Sequence, residues 1–340
     1  MNKNITPPSP YILKAHVTHL HESLRHFFQP ELKGYLEETY GETTMYLCPL
    51  CLKSVLLIAN GNLYATGQFS EDHYPPESVG GCQTVLVCKA CNDKAGHEYE
   101  YILKEELNSR SYNKGISNAK LKVRAQIKGV QTAPLKMKFF KEEENVILFD
   151  FGNNVKNPKI ARWLESIENN GESFEVTVTV SGNNQDLIAR SLLKAAYLYC
   201  FGLWGYEFCF SENGDKIRQV LAGSLKYPFS NGCLYWEEEN LERLPHGVCY
   251  ISSPADYRGY VVNVPMLLEE TGYKCIVGIP IPNPAGSGWS DLEALAQRVL
   301  HSDQEITINP IPHYNIRELI TGYSSIWALI EKGVPVIVPR

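Results

Sequence analysis

The sequence predicts an α+β protein, on three observations. Apolar and polar residues alternate along 120–128 and 135–139, a pattern typical of half-buried strands. Turn signals join neighbouring segments, and Asn60-Gly61 is the strongest of them. A strongly apolar helical stretch at 186–204 is followed by further strand-like segments, so strands and helices alternate without the regularity of a parallel sheet.

Composition narrows the class of protein. The chain has 340 residues, of which 44% are hydrophobic and 21% charged, which favours a packed core over global disorder. The net charge of −6 argues against a generally sticky, histone-like binder. It leaves room for nucleic acid as a partner, because a local basic patch is sufficient.

The location of the protein also follows from the sequence. The chain contains no run of 18 apolar residues, and residues 1–10 lack the apolar core of a signal peptide. Ten cysteines without such a signal indicate a reducing compartment. We therefore expect a cytoplasmic protein with no membrane partner, in which the six cysteines outside the motif below are buried.

Three consecutive segments are expected along the chain. Residues 1–44 form an arm with helices at 11–29 and 31–40. Residues 45–108 form a compact module of short strands followed by a helix. Residues 109–340 form a larger α+β domain that begins with basic strands. The strands and helices expected within the second and third segments are 55–58, 63–64, 69–74, 84–87, a helix at 92–107, then strands at 146–151, 174–180, 248–251, 260–264 and 275–281, with helices at 186–204, 290–301 and 316–331.

Two Cys-x-x-Cys pairs lie in the second segment, at Cys48 and Cys51 and at Cys88 and Cys91. Four thiolates at this spacing suit tetrahedral Zn²⁺, and a site closed by four protein ligands is structural because it leaves no position for water. A redox function needs only one pair, so the second pair argues against it.

The chain between and beside these pairs carries hydrolytic side chains. Asp72 and Asn92 offer the hard oxygen ligands that Mg²⁺ or Mn²⁺ prefers, and the imidazole of His73 can act as a general base. His97 follows Asn92 by five residues and is either a further catalytic residue or a histidine on the helix surface. These residues suit hydrolysis of a phosphodiester bond.

Residues 46–106 resemble the HNH endonucleases of the ββα-metal type with a zinc-knuckle frame. The stretches that carry the resemblance are Asp72-His73-Tyr74-Pro75-Pro76, Gly80-Gly81 and Cys88-Lys89-Ala90-Cys91-Asn92-Asp93-Lys94-Ala95-Gly96. The resemblance implies that Asp72 and Asn92 hold the catalytic ion and that His73 is the base. The chain departs from the family at Gln83, where other members carry an asparagine that orients the histidine.

The segment 108–141 contains basic residues and no Asp or Glu. The side chains at 120, 122, 124, 126 and 128 are expected on one face of a strand, opposite an apolar face. Since like charges without acids repel one another, we expect this face to contact nucleic acid; the alternative is a solvated outer face of the strand pair. DNA is favoured as the partner, but the choice between DNA and RNA does not follow from the sequence. The residues expected to contact nucleic acid are Lys94, Arg110, Lys120, Lys122, Arg124, Lys128, Lys136 and Lys138.

Three functions remain open at this point. The first is a metal-dependent nuclease with a specificity or regulatory domain, of the kind used in restriction or phage defence, with a homo-oligomer or a regulatory protein as possible partner. The second is a zinc-knuckle module that binds nucleic acid or protein without catalysis, which Gln83 favours. The third is a toxin-like nuclease held silent by a partner.

Overall fold

The computed structural model contains helices and antiparallel sheets, so the α+β class is confirmed. The predicted helices at 11–29, 31–40 and 316–331 lie outside the residues that it describes. The described residues are 43–59, 62–65, 67–128, 130, 135–143, 146–170, 175–179, 184–229, 235–237, 239, 241–253, 259–283, 288–299, 307–310 and 336–337.

The chain divides into two compact units, each built from separated segments. The first comprises Met1–Glu100, Gln185–Met266 and Cys275–Arg340. The second comprises Tyr101–Asn184 and Leu267–Lys274.

The first unit begins with two small sheets. Strands β1 to β3 are successive antiparallel neighbours, and β15 joins β3 in parallel. Strands β4 and β5 form a separate antiparallel hairpin, and a helix α1 follows β5 directly. The bounds are β1 Thr43–Leu47, β2 Val55–Ala59, β3 Asn62–Ala65, β4 Phe69–His73, β5 Thr84–Cys88, α1 Lys89–Ala95 and β15 Val336–Ile337.

Helix α1 continues as a π-helical segment, Gly96–Glu100, and then as helix α2, Tyr101–Asn113. The predicted start at Asn92 is wrong, because the helix begins at Lys89 with Cys88 as its extended N-cap residue. Single-turn π segments insert an extra residue into a helical turn. Within this segment the consecutive side chains of Tyr99 and Glu100 are both buried.

The second unit is a four-stranded antiparallel sheet with a helix on one face. Strand order is β8-β7-β6-β9, and the burial of β6 alternates perfectly along the strand. Ile160, Trp163 and Leu164 of helix α3 pack against its apolar face. The bounds are β6 Lys120–Ile127, β7 Leu135–Glu143, β8 Val146–Asp150, α3 Pro158–Asn170 and β9 Val176–Thr179.

The rest of the first unit is built on helix α4, Gln185–Phe210, whose residues from Ser191 to Phe201 are all buried. Its regular part ends at Trp204, as predicted, because Gly205 breaks the helix with a φ of 62°; a further helical stretch continues to Phe210. Helix α5, Glu212–Ala222, follows; the side chain of its N-cap residue Ser211 accepts a hydrogen bond from the amide of Gly214.

Five further strands form an antiparallel sheet, in the order β10-β13-β12-β11-β14. Helix α6 begins at Gly288, so the predicted start at residue 290 is two residues late. The bounds are β10 Tyr235–Glu237, β11 Gly247–Ser253, β12 Gly259–Leu268, β13 Tyr273–Ile281, α6 Gly288–Val299 and β14 Thr307–Pro310.

Cysteines outside the two pairs are mostly buried, as expected. The exception is Cys82, which is exposed in the loop between β4 and β5, and Cys233 lies outside the described residues. The buried ones are Cys200, Cys209, Cys249 and Cys275.

Candidate functional site

The first cysteine pair lies in a tight turn that follows β1. The amide of Cys48 donates to the carbonyl of Ser54 at 2.9 Å, and the amide of Leu52 donates to the carbonyl of Cys48 at 2.8 Å. Leu52 takes a left-handed conformation, with φ 54°, which costs a non-glycine residue conformational energy. This turn presents the thiols of Cys48 and Cys51 on the same side of the chain.

The second pair lies at the junction of β5 and α1. Cys88 is the last residue of β5, and Cys91 lies in the first turn of α1. Strand pairing sets Cys88 opposite Phe69, at the start of β4. The second pair is therefore fixed by the same hairpin that carries Asp72 and His73.

The four thiol sulfurs converge, all lying within 4.8 Å of one another. Cys51 Sγ and Cys88 Sγ are 3.8 Å apart. At a Zn–S bond length of about 2.3 Å, the edges of a tetrahedron of sulfurs are about 3.8 Å. The cluster can hold a metal ion such as zinc, as the spacing predicted.

The thiols influence one another's protonation. A hydrogen bond from the Cys48 thiol is the largest cause that lowers the pKa of Cys88 to about 6, whereas hydrogen bonding to the other thiols raises the pKa of Cys48. A metal cation replaces the thiol protons when it binds.

Asn92 ties helix α1 to strand β4. Its Nδ2 donates to Ser70 Oγ at 3.0 Å and to the carbonyl of Glu71 at 2.9 Å. Both donors of the amide are thus used, which leaves Oδ1 as the amide atom able to ligate a cation. Because side chains alternate along a strand, Ser70 and Asp72 share one face of β4, and Asn92 lies on that face.

His73 is the last residue of β4 and is half-buried. Directly after it, the amide of Tyr74 donates to the carbonyl of Gln83 at 3.0 Å. The backbone of Gln83 therefore fixes the end of the strand, while its side chain is exposed. At Gly81 a Cβ atom would lie 1.6 Å from a carbonyl oxygen, that of Pro75, so only glycine fits this close approach.

Asp72 forms a buried ion-pair cluster that the sequence did not reveal. Its carboxylate is 4% exposed, and Oδ2 lies 2.6 Å from Nζ of Lys194 on helix α4. The same ammonium lies 2.7 Å from Oε1 of Glu100, in the π-helical segment. The sequence signal is that Lys194 is the one charged residue in the apolar stretch 191–206, where a buried ammonium requires an acidic partner.

Burial governs the protonation of this cluster. It raises the pKa of Asp72, and the ammonium of Lys194 opposes the rise. Burial also raises the pKa of Glu100 to about 7, against the attraction of Lys194 and with a contribution from Asp72. Burial alone lowers the pKa of Lys194, but the two carboxylates outweigh it and raise that pKa. The lysine is therefore charged at neutral pH.

Helix α4 also holds the first cysteine turn through two buried tyrosines. The hydroxyl of Tyr197 donates to the carbonyl of Pro49 at 2.8 Å. The hydroxyl of Tyr206 accepts from the amide of Leu47 at 2.9 Å and donates to the carbonyl of the same residue at 2.5 Å. Residues far along the chain thus complete the module that the sequence placed at 45–108.

The remaining predicted residues of this module lie on its surface. His97 is exposed in the π-helical segment, and among the described residues no hydrogen bond joins it to Asp72 or His73. Lys94 is exposed, with its Nζ 3.7 Å from Glu98 Oε1. The catalytic role of His97 and the nucleic-acid contact of Lys94 stay predictions.

In the second unit, strand β6 has the predicted apolar face, which is buried, and the predicted basic face, which is exposed. Leu121, Val123, Ala125 and Ile127 are buried, and the residues between them are exposed. In the backbone register Lys122 stands opposite Lys138, and Arg124 stands opposite Lys136. Directly opposed like charges destabilise a sheet, so this arrangement concentrates positive charge at some cost.

Acidic residues from outside the basic segment compensate part of this charge. The premise that the segment has no compensating acid is therefore wrong for four of its residues. The pairs are Arg110 with Glu106 at 2.8 Å, Lys122 with Glu105, Lys128 with Glu175 at 2.5 Å, and Lys138 with Asp150 at 3.9 Å.

Within the part of the chain that the structure describes, no helix is both long and apolar enough to cross a membrane.

Comparison with known proteins gives no family assignment. No protein-family model, no curated protein and no solved structure matches the chain.

Proposed function

We propose that the protein is a metal-dependent endonuclease of the HNH type, which hydrolyses phosphodiester bonds of DNA. The observation that carries the proposal is the hydrogen bond from Asn92 to the carbonyl of Glu71. It joins the helix after the second cysteine pair to the strand that ends in Asp72 and His73. The three side chains that the chemistry needs thereby belong to one hairpin and the helix that follows it.

In this proposal the four cysteines bind a structural Zn²⁺. Their cluster is closed by four protein thiolates, so it has no position for water or substrate. Its role is to fix the end of β5 and the start of α1 against the turn after β1. The distance between β4 and Asn92 then depends on the zinc site.

The proposed chemistry belongs to His73, Asp72 and Asn92. The imidazole of His73 accepts the proton of the attacking water. The carboxylate of Asp72 and Oδ1 of Asn92 are hard oxygen ligands on one face of β4, and they suit a cation such as Mg²⁺ or Mn²⁺. When bound there, the ion supplies positive charge to the scissile phosphate and the leaving oxygen.

Substrate binding is assigned in this proposal to the exposed basic face of the second unit. Exposed ion pairs contribute only about 0–1 kcal/mol each, so the lysines there exchange a carboxylate for a phosphate at little cost. The counterions that DNA releases then favour binding at low salt. The same proposal includes a partner that regulates the nuclease and a second copy of the chain. It also includes a cytoplasmic location and a role in phage defence.

One assay tests the proposed activity. Supercoiled plasmid is incubated with the full chain and Mg²⁺, Mn²⁺ or Zn²⁺. We expect cleavage with Mg²⁺ or Mn²⁺, and we expect His73→Ala to reduce it at least about 100-fold, the typical contribution of a general base. His246→Ala is the matched control, because His246 is also accessible to solvent and lies in another part of the same unit. Cleavage that survives in His73→Ala refutes the assignment of the base.

The observation that favours a non-catalytic binding module is the pairing of Asp72 with Lys194. A carboxylate held by a buried ammonium is a poorer ligand for a divalent ion than a free one. Salt-sensitive DNA binding without cleavage under any of the three ions would support this second function.

A further inference from the structure

Lys194 is the most deeply buried charge beside the proposed active site. Its side chain is 1% exposed, and its ammonium lies between Asp72, 4% exposed, and Glu100, 7% exposed. The three residues come from strand β4, the π-helical segment and helix α4. A single positive charge therefore occupies the space between two carboxylates, which is the arrangement in which proteins also hold divalent cations.

The two carboxylates hold the lysine differently. Glu100 Oε1 accepts a well-formed hydrogen bond from Lys194 Nζ at 2.7 Å. Asp72 Oδ2 lies 2.6 Å from the same nitrogen, in a less favourable geometry for a hydrogen bond. Glu100 therefore holds the ammonium through a well-formed hydrogen bond, and Asp72 holds it mainly through charge. If a cation displaces the ammonium from Asp72, Glu100 is the partner that the ammonium keeps.

Asp72 lies where a divalent ion bound to it would compete with the ammonium of Lys194. Asp72 shares its face of β4 with Ser70, and Asn92 donates to the hydroxyl of Ser70 at 3.0 Å. A divalent ion on Asp72 and Asn92 would lie close to the ammonium of Lys194. Two cations at such short range repel strongly in a buried site, where water screens them little.

We propose that Lys194 is the resident cation of Asp72 and that it weakens the binding of a divalent ion to this carboxylate. This inference rests on the proposed function, because it concerns the ion that the nuclease would use. The lysine acts as an internal competitor. A divalent ion loads the site when the ammonium retreats to Glu100, so the concentration of free ion controls how much of the protein is active.

Two variants of the full, zinc-loaded chain test the competition, with Mn²⁺ binding measured by electron paramagnetic resonance in the absence of DNA. Glu100→Gln weakens the anchor, so the ammonium moves onto Asp72. We expect the dissociation constant for Mn²⁺ to rise on the order of fivefold. Glu100→Gln combined with Lys194→Met removes the competitor and keeps the formal charge of −1 that the cluster has when Glu100 is ionised, so the measurement is made above the pKa of Glu100 of about 7. We expect the dissociation constant to fall on the order of tenfold below that of the wild type.

The opposite signs of the two effects make the test specific. A purely structural role for Lys194 predicts that both variants bind Mn²⁺ equally or more weakly than the wild type. Adding Asp72→Asn to the double variant should abolish the gain in affinity. Zinc content and thermal unfolding report whether each variant is folded. If the double variant does not fold, Glu100→Gln combined with Lys194→Gln replaces it, and unchanged or weaker Mn²⁺ binding in that variant overturns the proposal.

The Mn²⁺-binding experiment can fail independently of the plasmid-cleavage assay. A protein that cuts DNA through His73, but binds Mn²⁺ with the same affinity in all variants, keeps the proposed function and overturns the role of Lys194. Absence of Mn²⁺ binding in every variant also overturns it, because a lysine cannot exclude an ion that the free carboxylate does not bind.

Discussion

Replacing Glu100 by glutamine should change how the stability of the protein depends on pH. Burial is the main reason why the pKa of the Glu100 carboxyl rises from its ordinary value of 4.5 to about 7 in the folded chain. Between these two values the folded chain binds more protons than the unfolded chain. The free energy of unfolding therefore falls as the pH rises through this window, and the stability that the protonated carboxyl contributes is fully present only below the lower value.

The magnitude follows from the two pKa values. At about 1.36 kcal/mol per pH unit, the full change across the window is about 3 kcal/mol. Glutamine keeps an oxygen that accepts the hydrogen bond from Lys194 but does not titrate. In Glu100→Gln the loss of stability between about pH 5 and about pH 7.5 should therefore be smaller than in the wild type by roughly 2 kcal/mol.

Urea denaturation of zinc-saturated protein at the two pH values measures this difference. Protonation of the zinc thiolates acts on both proteins and cancels in the comparison. Glu77→Gln is the control, since Glu77 is exposed, and it should keep the wild-type pH dependence. Equal pH dependence in the wild type and Glu100→Gln would refute the reasoning that burial protonates this carboxyl.

Three further outcomes follow from the described contacts. Cys51→Ser should lose the bound zinc and the folded module, whereas Cys82→Ser, outside the cluster, should retain both; metal content and circular dichroism distinguish them. Gly81→Ala places a Cβ atom 1.6 Å from a backbone oxygen and should cost about 1–3 kcal/mol in urea denaturation, whereas Gly67→Ala, with nothing within 4 Å, should cost little. Arg124→Gln should weaken DNA binding uniformly across sequences and reduce the slope of log affinity against log salt by about one, measured by fluorescence anisotropy.

The sequence predicted those parts of the protein in which the signal is local. Two Cys-x-x-Cys pairs indicate a common metal site whatever the path of the chain between them, because thiolates at that spacing have few other uses. The alternation of β6 is equally local, since each side chain reports its own face. The hairpin of β4 and β5 was predicted within one residue at each end.

Features that depend on distant residues were missed. Lys194 looks like one polar position in an apolar helix, and nothing near it in sequence indicates that its partner is Asp72. The compensation of Lys128 by Glu175 was missed for the same reason. The start of α1 was misplaced because Cys88 is an uncommon N-cap residue, and hydrophobic periodicity alone locates the ends of helices poorly.

Two hydrogen bonds between Tyr206 and the backbone of Leu47 connect helix α4 to the turn that carries the first cysteine pair. Amide hydrogen exchange can measure this connection. One hydroxyl satisfies both the amide and the carbonyl of the residue that directly precedes Cys48, as a neighbouring strand would. The turn that carries the first cysteine pair therefore cannot open without breaking contacts to the C-terminal part of α4. Slow exchange of the Leu47 amide and of the α4 amides should be lost together when a chelator removes the metal, so the helix and the cysteine turn unfold as one cooperative unit.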